Sequence, residues 1–237
     1  MAPGVTRSQV KKAGSTLRRL LRGEIKIEDP RVDHAPSVIQ EYRAAHQYPL
    51  VKANMGLRSA VRAEHCQVEV TQRLKRLRTI VDKLRREPTM SLTTMQDVGG
   101  CRAVLNSIDE IRRVERRLKK NRPVLGYYDY VTTPRASGYR SVHIIVGYHD
   151  REDELRAVEV QLRTRPMHDW AIGVESLSGR LQVDLKSGEG PREVLDLLAA
   201  LSEAMALQDL GQEVPEALRD RVRLLRPAAL PYIGDQL

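Results

Sequence analysis

Cysteine is scarce in this 237-residue chain, which contains only Cys66 and Cys101. Neither belongs to a CxxC pair and no His/Cys cluster has zinc spacing, so a structural zinc is not expected. No apolar run approaches the roughly 18 residues that a membrane span needs. The opening Met1-Ala2-Pro3-Gly4-Val5-Thr6-Arg7 lacks the apolar stretch of a signal peptide. Two thiols with neither leader nor span read as a cytoplasmic protein without a membrane partner. There is no GxxxxGK[ST] loop and no GxGxxG, so P-loop and Rossmann chemistry lack support. Internal repeats and low-complexity stretches are absent as well.

What the chain has is positive charge, and it is unevenly placed. The net charge is +9. Residues 1–31 carry eight Lys/Arg against three acids, segment 73–86 seven against Asp82, and segment 112–122 seven against Glu115. Beyond residue 187 nine acids face five arginines. A basic body with an acidic tail points to a polyanion, either nucleotide phosphates or nucleic acid. Taken singly, each basic run is more often a solvated helix face. Hydrophobic residues at 41% are enough for a buried core.

The periodicity predicts an α+β protein: a central mixed sheet of about four or five strands flanked by helices. Val10, Ala13, Leu17, Leu20 and Leu21 share a helical face that Gly23 stops. Residues 24–36 read as a loop, with Ser37 capping a helix that runs through Gln47 and ends at Pro49. A further helix follows from Leu50 to about Glu64. Cys66, Val68 and Val70 alternate as a short strand, and Arg73 to Lys83 continue as a basic helix. Val98–Leu105, Ser141–Tyr148 and Leu155–Arg163 read as strands. Ser107-Ile108-Asp109-Glu110 is a capping box that opens a helix. Residues 121–139 form a tyrosine-rich loop or hairpin. Helices start near Pro166, around Val194 and from Pro215.

Along the strand at Val158, side chains alternate, so Glu159, Gln161 and Arg163 share one face while Val158, Val160 and Leu162 take the other. A solvated polar face would look the same. Asp97 stands just before the strand of Val98-Gly99-Gly100, where a turn aspartate is also common. Two carboxylates on neighbouring strands could hold one magnesium ion and leave positions for phosphate. Periodicity does not say that these strands are neighbours. The start of the basic helix at Arg73, Lys75 and Arg76 suits a triphosphate. In Pro134-Arg135-Ala136-Ser137-Gly138-Tyr139-Arg140, an exposed Tyr139 could stack on a base while Arg135 meets a phosphate, or the tyrosine could simply cover a sheet edge.

Four blocks in order resemble the RelA/SpoT synthetase domain of the (p)ppGpp synthetases. They are Arg73-Leu-Lys75 through Lys83; Asp97-Val-Gly-Gly-Cys-Arg102; Pro134-Arg-Ala-Ser-Gly-Tyr139-Arg-Ser-Val-His143; and Glu159-Val-Gln161-Leu-Arg163-Thr164, followed by Met167-His168 and Trp170-Ala171. The resemblance covers residues 66–185, between a helical N-terminal extension (1–65) and a helical C-terminal one (186–237). It implies that Asp97 and Glu159 are the catalytic carboxylates that hold magnesium (Mg2+), with Glu159 beside the attacking 3′-hydroxyl. It implies that Arg73, Lys75, Lys83 and Arg102 surround ATP. Tyr139 would stack on the acceptor base, and Arg135, His143, Gln161 and Arg163 would line the acceptor side.

Two positions depart from the family pattern. Tyr128 stands where a lysine or arginine usually precedes the Asp-Tyr of the acceptor loop, and Glu175-Ser176 stands where Glu-His is frequent. No hydrolase His-Asp signature precedes the blocks, as in the small, synthetase-only members. The expectation is a pyrophosphokinase moving the β,γ-pyrophosphate of ATP to a ribose 3′-hydroxyl. The missing base at Tyr128 and the scattered basic runs tilt the acceptor toward the 3′ end of tRNA, as in toxic members that an antitoxin protein neutralises. GDP or GTP is the alternative acceptor, and a silent RNA- or nucleotide-binding protein is the reading outside enzymes. Oligomeric state is left open.

Overall fold

The computed structural model describes residues 4–121 and 123–234. In chain order its elements are α1 (Arg7–Leu21), α2 (Pro30–Ala45), α3 (Gln47–Ala63), β1 (Val70–Leu74), α4 (Leu77–Arg86), β2 (Gly99–Leu105) and α5 (Ile108–Asn121). There follow β3 (Val124–Asp129), β4 (Val142–His149), β5 (Leu155–Thr164), α6 (Arg165–Leu181), α7 (Arg192–Asp209) and α8 (Glu216–Ile233). The sheet has five strands in the order β1-β2-β5-β4-β3. Only β2 and β5 run parallel; the other pairs are antiparallel, so the sheet is mixed and the fold α+β.

Alternation along the strands separates the two faces of this sheet. Val158, Val160 and Leu162 of β5 join Val142, Ile144 and Val146 of β4 and Cys101 and Ala103 of β2 in a core with α3 and α5. Leu57 and Leu162 are fully buried there, and truncating either to alanine should cost about 2–5 kcal/mol. The opposite face carries Arg73, Gly100, Arg102, Glu159, Gln161, Arg163 and His143. Two smaller cores stand on that side. One joins α1, α2 and α4 through Val10, Ile39, Ile80 and Leu84, with Met95 and Val98. The other joins α6, α7 and α8 through Trp170, Val174, Leu197 and Leu198. Because α3 lies in the main core, the boundary expected at residue 66 falls between this helix and the strand it packs against.

Local expectations fail where tertiary contacts override them. Residues 30–36 are helix, not loop. Asp29 caps α2 by accepting from Arg31 N at 3.0 Å, and Pro30 is its first residue. Pro36 lies inside α2, where burial of Val32, Ala35, Ile39 and Tyr42 offsets the lost backbone hydrogen bond. Ser37 is no cap; its hydroxyl donates back to His34 O at 2.9 Å. Pro49 falls in the first turn of α3, a position that tolerates proline. Strand pairing begins at Val70 opposite Ala103 and ends at Leu74 opposite Gly99, so Arg73 is on a strand rather than a helix. Lys75 lies between β1 and α4. Of the loop or hairpin read over 121–139 the hairpin holds in part: β3 pairs antiparallel with β4 as an edge strand bulged between Val124 and Gly126. The capping box is half formed: Glu110 N donates to Ser107 Oγ at 3.2 Å, but the Glu110 carboxylate turns to Asn106 N. Among the described residues no helix is long and apolar enough to cross a membrane.

Candidate active site

The pairing of β2 with β5 sets Gly100 opposite Glu159 and Arg102 opposite Gln161. Asp97, from the turn before β2, therefore opens onto the same cavity as Glu159. That cavity has a volume of about 250 Å³ and is lined by Arg73, Asp97, Gly100, Arg102, Glu159 and Gln161, among others. A larger cleft of about 790 Å³ lies between the N-terminal segment and residues 152–157, and none of the expected site residues lines it.

Asp97 accepts from Lys75 Nζ at 2.8 Å and from Lys83 Nζ at 3.1 Å. Burial would raise its pKa, but the two lysines outweigh burial and hold it below the ordinary value. Lys75 is itself held in place: its N–H donates to Val98 O at 2.8 Å and its carbonyl accepts from Arg43 Nε of α2 at 2.7 Å. Glu159 is half-buried on β5 beside His143 Nδ1 at 2.9 Å, and Gln161 Nε2 donates to it at 2.5 Å. Burial and the charge of Asp97 push its pKa up, yet His143 and Gln161 prevail and keep the carboxyl ionised. Arg102 reaches His168 of α6 at 3.4 Å, and burial together with Arg163 and Arg73 lowers its pKa. The buried Nε atoms of Arg102 and Arg163 make no hydrogen bond among the described residues.

On the acceptor side the expectation for Tyr139 needs correction. Its ring is 4% exposed, not open to solvent, because it packs with Trp170, Leu197 and Leu198 in the C-terminal core. Its hydroxyl accepts from Arg163 at 2.7 Å and lies 2.7 Å from His143 Nε2. The imidazole of His143 bridges the Tyr139 hydroxyl at Nε2 and the Glu159 carboxylate at Nδ1. Arg163 also donates to Gln161 Oε1 at 2.9 Å, which turns the Gln161 amide NH2 to Glu159. Thus Arg163, Tyr139, His143 and Gln161 form one directed network that ends on Glu159. Tyr128, 43% exposed, and the half-buried Tyr130 lie parallel with ring centroids 6.1 Å apart. Arg135 is exposed and covers the Tyr130 ring at 4.6 Å.

Much of the basic surface is spent within the chain. Arg18 of α1 donates to the carbonyls of Leu84, Pro88 and Met90. Arg19 and Arg22 pair with Glu24. Arg112 pairs with Glu115 and Asp129, Lys119 with Glu115, and Arg113 and Arg117 with Glu64. Arg122, the last of that run, lies outside the described residues. Lys186 escaped notice in the sequence, where it is a lone lysine near the acidic tail. It donates to Glu175 at 3.0 Å and faces Arg163 and Arg102. Burial lowers its pKa more than Glu175 raises it.

Comparison with known proteins follows this geometry. Residues 72–178 match the family described as "Region found in RelA / SpoT proteins". GTP pyrophosphokinase YjbM of Bacillus subtilis is 33% identical over 191 residues, covering 74% of this chain and 88% of that protein. GTP pyrophosphokinase YwaC of the same organism is 31% identical over 152 residues, 59% of this chain and 69% of that protein. Among solved structures, small alarmone synthetase 1 from Bacillus subtilis, bound to its product pppGpp, aligns with a TM-score of 0.59 and 31% identity over 72% of this chain and 90% of that one.

Proposed function

This chain belongs to the RelA/SpoT family and is a pyrophosphokinase, and we propose that it transfers the β,γ-pyrophosphate of ATP to the ribose 3′-hydroxyl of GDP or GTP, making (p)ppGpp. The observation that carries this reading is the opening of Asp97 and Glu159 onto one cavity that Arg73 and Arg102 also line, with Lys75 and Lys83 bonded to Asp97. The related synthetase bound to pppGpp supports the choice of acceptor. Of the basic runs that favoured tRNA, and with it an antitoxin partner, about half of the residues are engaged with the chain's own acids and carbonyls. In this reading residues 66–185 are the synthetase core, with helical extensions on either side.

The two carboxylates also fit a divalent cation. Both are hard oxygen donors, both are held below the ordinary carboxyl pKa, and Glu159 feels the charge of Asp97. Asp97 and Glu159 would hold Mg2+, which when bound neutralises charge on the transferring phosphates. The rest falls to the chain. Lys75 and Lys83, drawn together by Asp97, bind triphosphate oxygens, and Arg73 and Arg102 flank the nucleotide. Glu159, held ionised by His143 and Gln161, takes the proton of the 3′-hydroxyl. The hydroxyl oxygen forms its bond to the β-phosphorus as the bond from that phosphorus to the α-phosphate bridging oxygen breaks, and AMP leaves with the electron pair. Arg135 meets an acceptor phosphate, Tyr128 and Tyr130 offer ring faces to the base, and Tyr139, His143, Gln161 and Arg163 keep Glu159 aimed. ATP labelled at the γ-phosphate, incubated separately with GDP, GTP and tRNA, tests the acceptor. Label should enter GDP or GTP; label in tRNA alone would overturn the reading.

A further inference from the structure

The loop between β3 and β4 is not held by the sheet alone. Within it Gly138 N donates to Arg135 O at 2.8 Å and Arg135 N to Tyr139 O at 3.2 Å, a tight turn that needs Gly138 at φ +87°. This turn rests on α7, some sixty residues away in sequence. The Ser202 hydroxyl of α7 donates to Gly138 O at 2.5 Å and accepts from Arg140 Nε at 3.2 Å. Arg140 in turn donates to Val131 O at 3.1 Å, which ties the two arms of the loop together. The approach is so close that a Cβ on Gly138 would lie 2.8 Å from Ser202 Cβ and 2.9 Å from Ala199 Cα. Ser137 Oγ donates to Lys186 O at 2.9 Å, and Trp170 Nε1 to Leu198 O at 3.2 Å. Ser202 is only 4% exposed and touches neither carboxylate.

We propose that α7 is a positioning element of the acceptor site, acting through the Ser202 hydroxyl, which seats the 135–140 turn and so sets the line from Tyr139 through His143 to Glu159. This deepens the pyrophosphokinase reading and rests on it for its kinetic consequence. The mechanism is specific. With Gly138 and Arg140 docked, Tyr139 is drawn into the α6–α7 core and its hydroxyl lands between Arg163 and His143. Without the Ser202 bridge, the buried Gly138 carbonyl and the half-buried Arg140 guanidinium lose their shared partner, and the turn loosens. His143 Nε2 then loses its fixed partner, and the ring is no longer held against Glu159. The ATP half of the site, built from β1, β2 and α4, does not pass through this contact.

The test is Ser202→Ala, a change small enough to keep α7 folded, with Arg140→Met as a second variant that breaks the same bridge from the loop side. Both should raise the KM for GDP or GTP by roughly tenfold, the scale of one lost buried hydrogen bond, and leave the KM for ATP within about twofold. Amide exchange should quicken at Gly138 and Tyr139 while the β4–β5 ladder stays protected. The ring 15N signals of His143 should move from their parent positions as its contact with the Tyr139 hydroxyl is lost. Parent-like acceptor KM and parent-like exchange in both variants would overturn the proposal and leave the reaction standing. Equal rises in both KM values would overturn it too, as the mark of general loosening. If the parent transfers nothing to GDP or GTP while exchange and the His143 spectrum respond as described, the reading of the acceptor fails and the positioning role stands.

Discussion

Replacing Asp97 by asparagine removes one charge and almost no volume, and it strands two ammonium groups. In the parent, Lys75 Nζ and Lys83 Nζ sit at 2.8 and 3.1 Å from the two carboxylate oxygens, with side chains 10% and 20% exposed. Removing one partner of a fully buried ion pair costs about 3–5 kcal/mol, because the other charge is left behind. Here both lysines keep some water and the asparagine oxygen still accepts one hydrogen bond, so a loss of about 2–3 kcal/mol is expected. For a chain of this size that lowers Tm by roughly 5–10 °C. The sign of the pH dependence follows from the depressed pKa of Asp97. Its stabilisation is fully present above the unfolded carboxylate value, about 4, and is lost as pH falls through the lower folded value. The gap in Tm between parent and Asp97→Asn should therefore be constant near neutrality and shrink below about pH 4. ATP should recover part of the gap at pH 7, since its phosphates give the lysines a new partner. Transfer should fall by about a hundredfold or more even at temperatures where the variant is folded. Differential scanning calorimetry at pH 7 and in the acid range, with and without ATP, measures all but the last. A variant that melts with the parent at pH 7, or a gap that persists in acid, would refute the reasoning.

Three other outcomes can be checked. His143→Ala leaves burial and Asp97 to raise the Glu159 pKa unopposed by the imidazole, so the acid limb of the kcat/KM profile should move to higher pH; an unmoved limb would mean that Glu159 is not the titrating group. Tyr139→Phe keeps the buried ring and deletes only the hydroxyl between Arg163 and His143, so transfer should fall roughly tenfold with a small change in Tm. A harmless Phe variant would return the role of Tyr139 to its ring. Arg18→Ala uncovers the carbonyls of Leu84, Pro88 and Met90 at the end of α4, so the KM for ATP should rise through Lys83 while the acceptor KM and its salt dependence stay as they were. A selective, salt-sensitive loss of acceptor binding would instead favour a polyanionic acceptor.

The elements with a clean period were legible without the structure. Val158, Val160 and Leu162 placed β5, and the same alternation put Glu159, Gln161 and Arg163 on one face. Neighbouring of Asp97 and Glu159 was not legible, since only the ladder that sets Gly100 opposite Glu159 brings them to one cavity. The edge strand β3 is one arm of the hairpin, one of the two readings of 121–139, and its bounds were not legible because Leu125, Tyr127 and Tyr128 are all exposed, which erases the alternation. Pro36 hid only the first turns of α2, which read as loop over residues 30–36 and whose support comes from burial against α1. Tyr139 looked like an exposed loop residue because what covers it, α7, lies far along the chain, and the pairing of Lys186 with Glu175 has no local signal at all.

The most direct test of the central claim is the identity of both products formed from ATP and GDP with magnesium, resolved by ion-exchange chromatography and 31P NMR, for the parent and for folded Glu159→Gln. The parent should yield AMP and a guanosine nucleotide carrying a 3′-pyrophosphate in one-to-one ratio, and Glu159→Gln should yield neither. ADP and inorganic phosphate from the parent, or an undiminished 3′-pyrophosphate product from Glu159→Gln, would contradict the account.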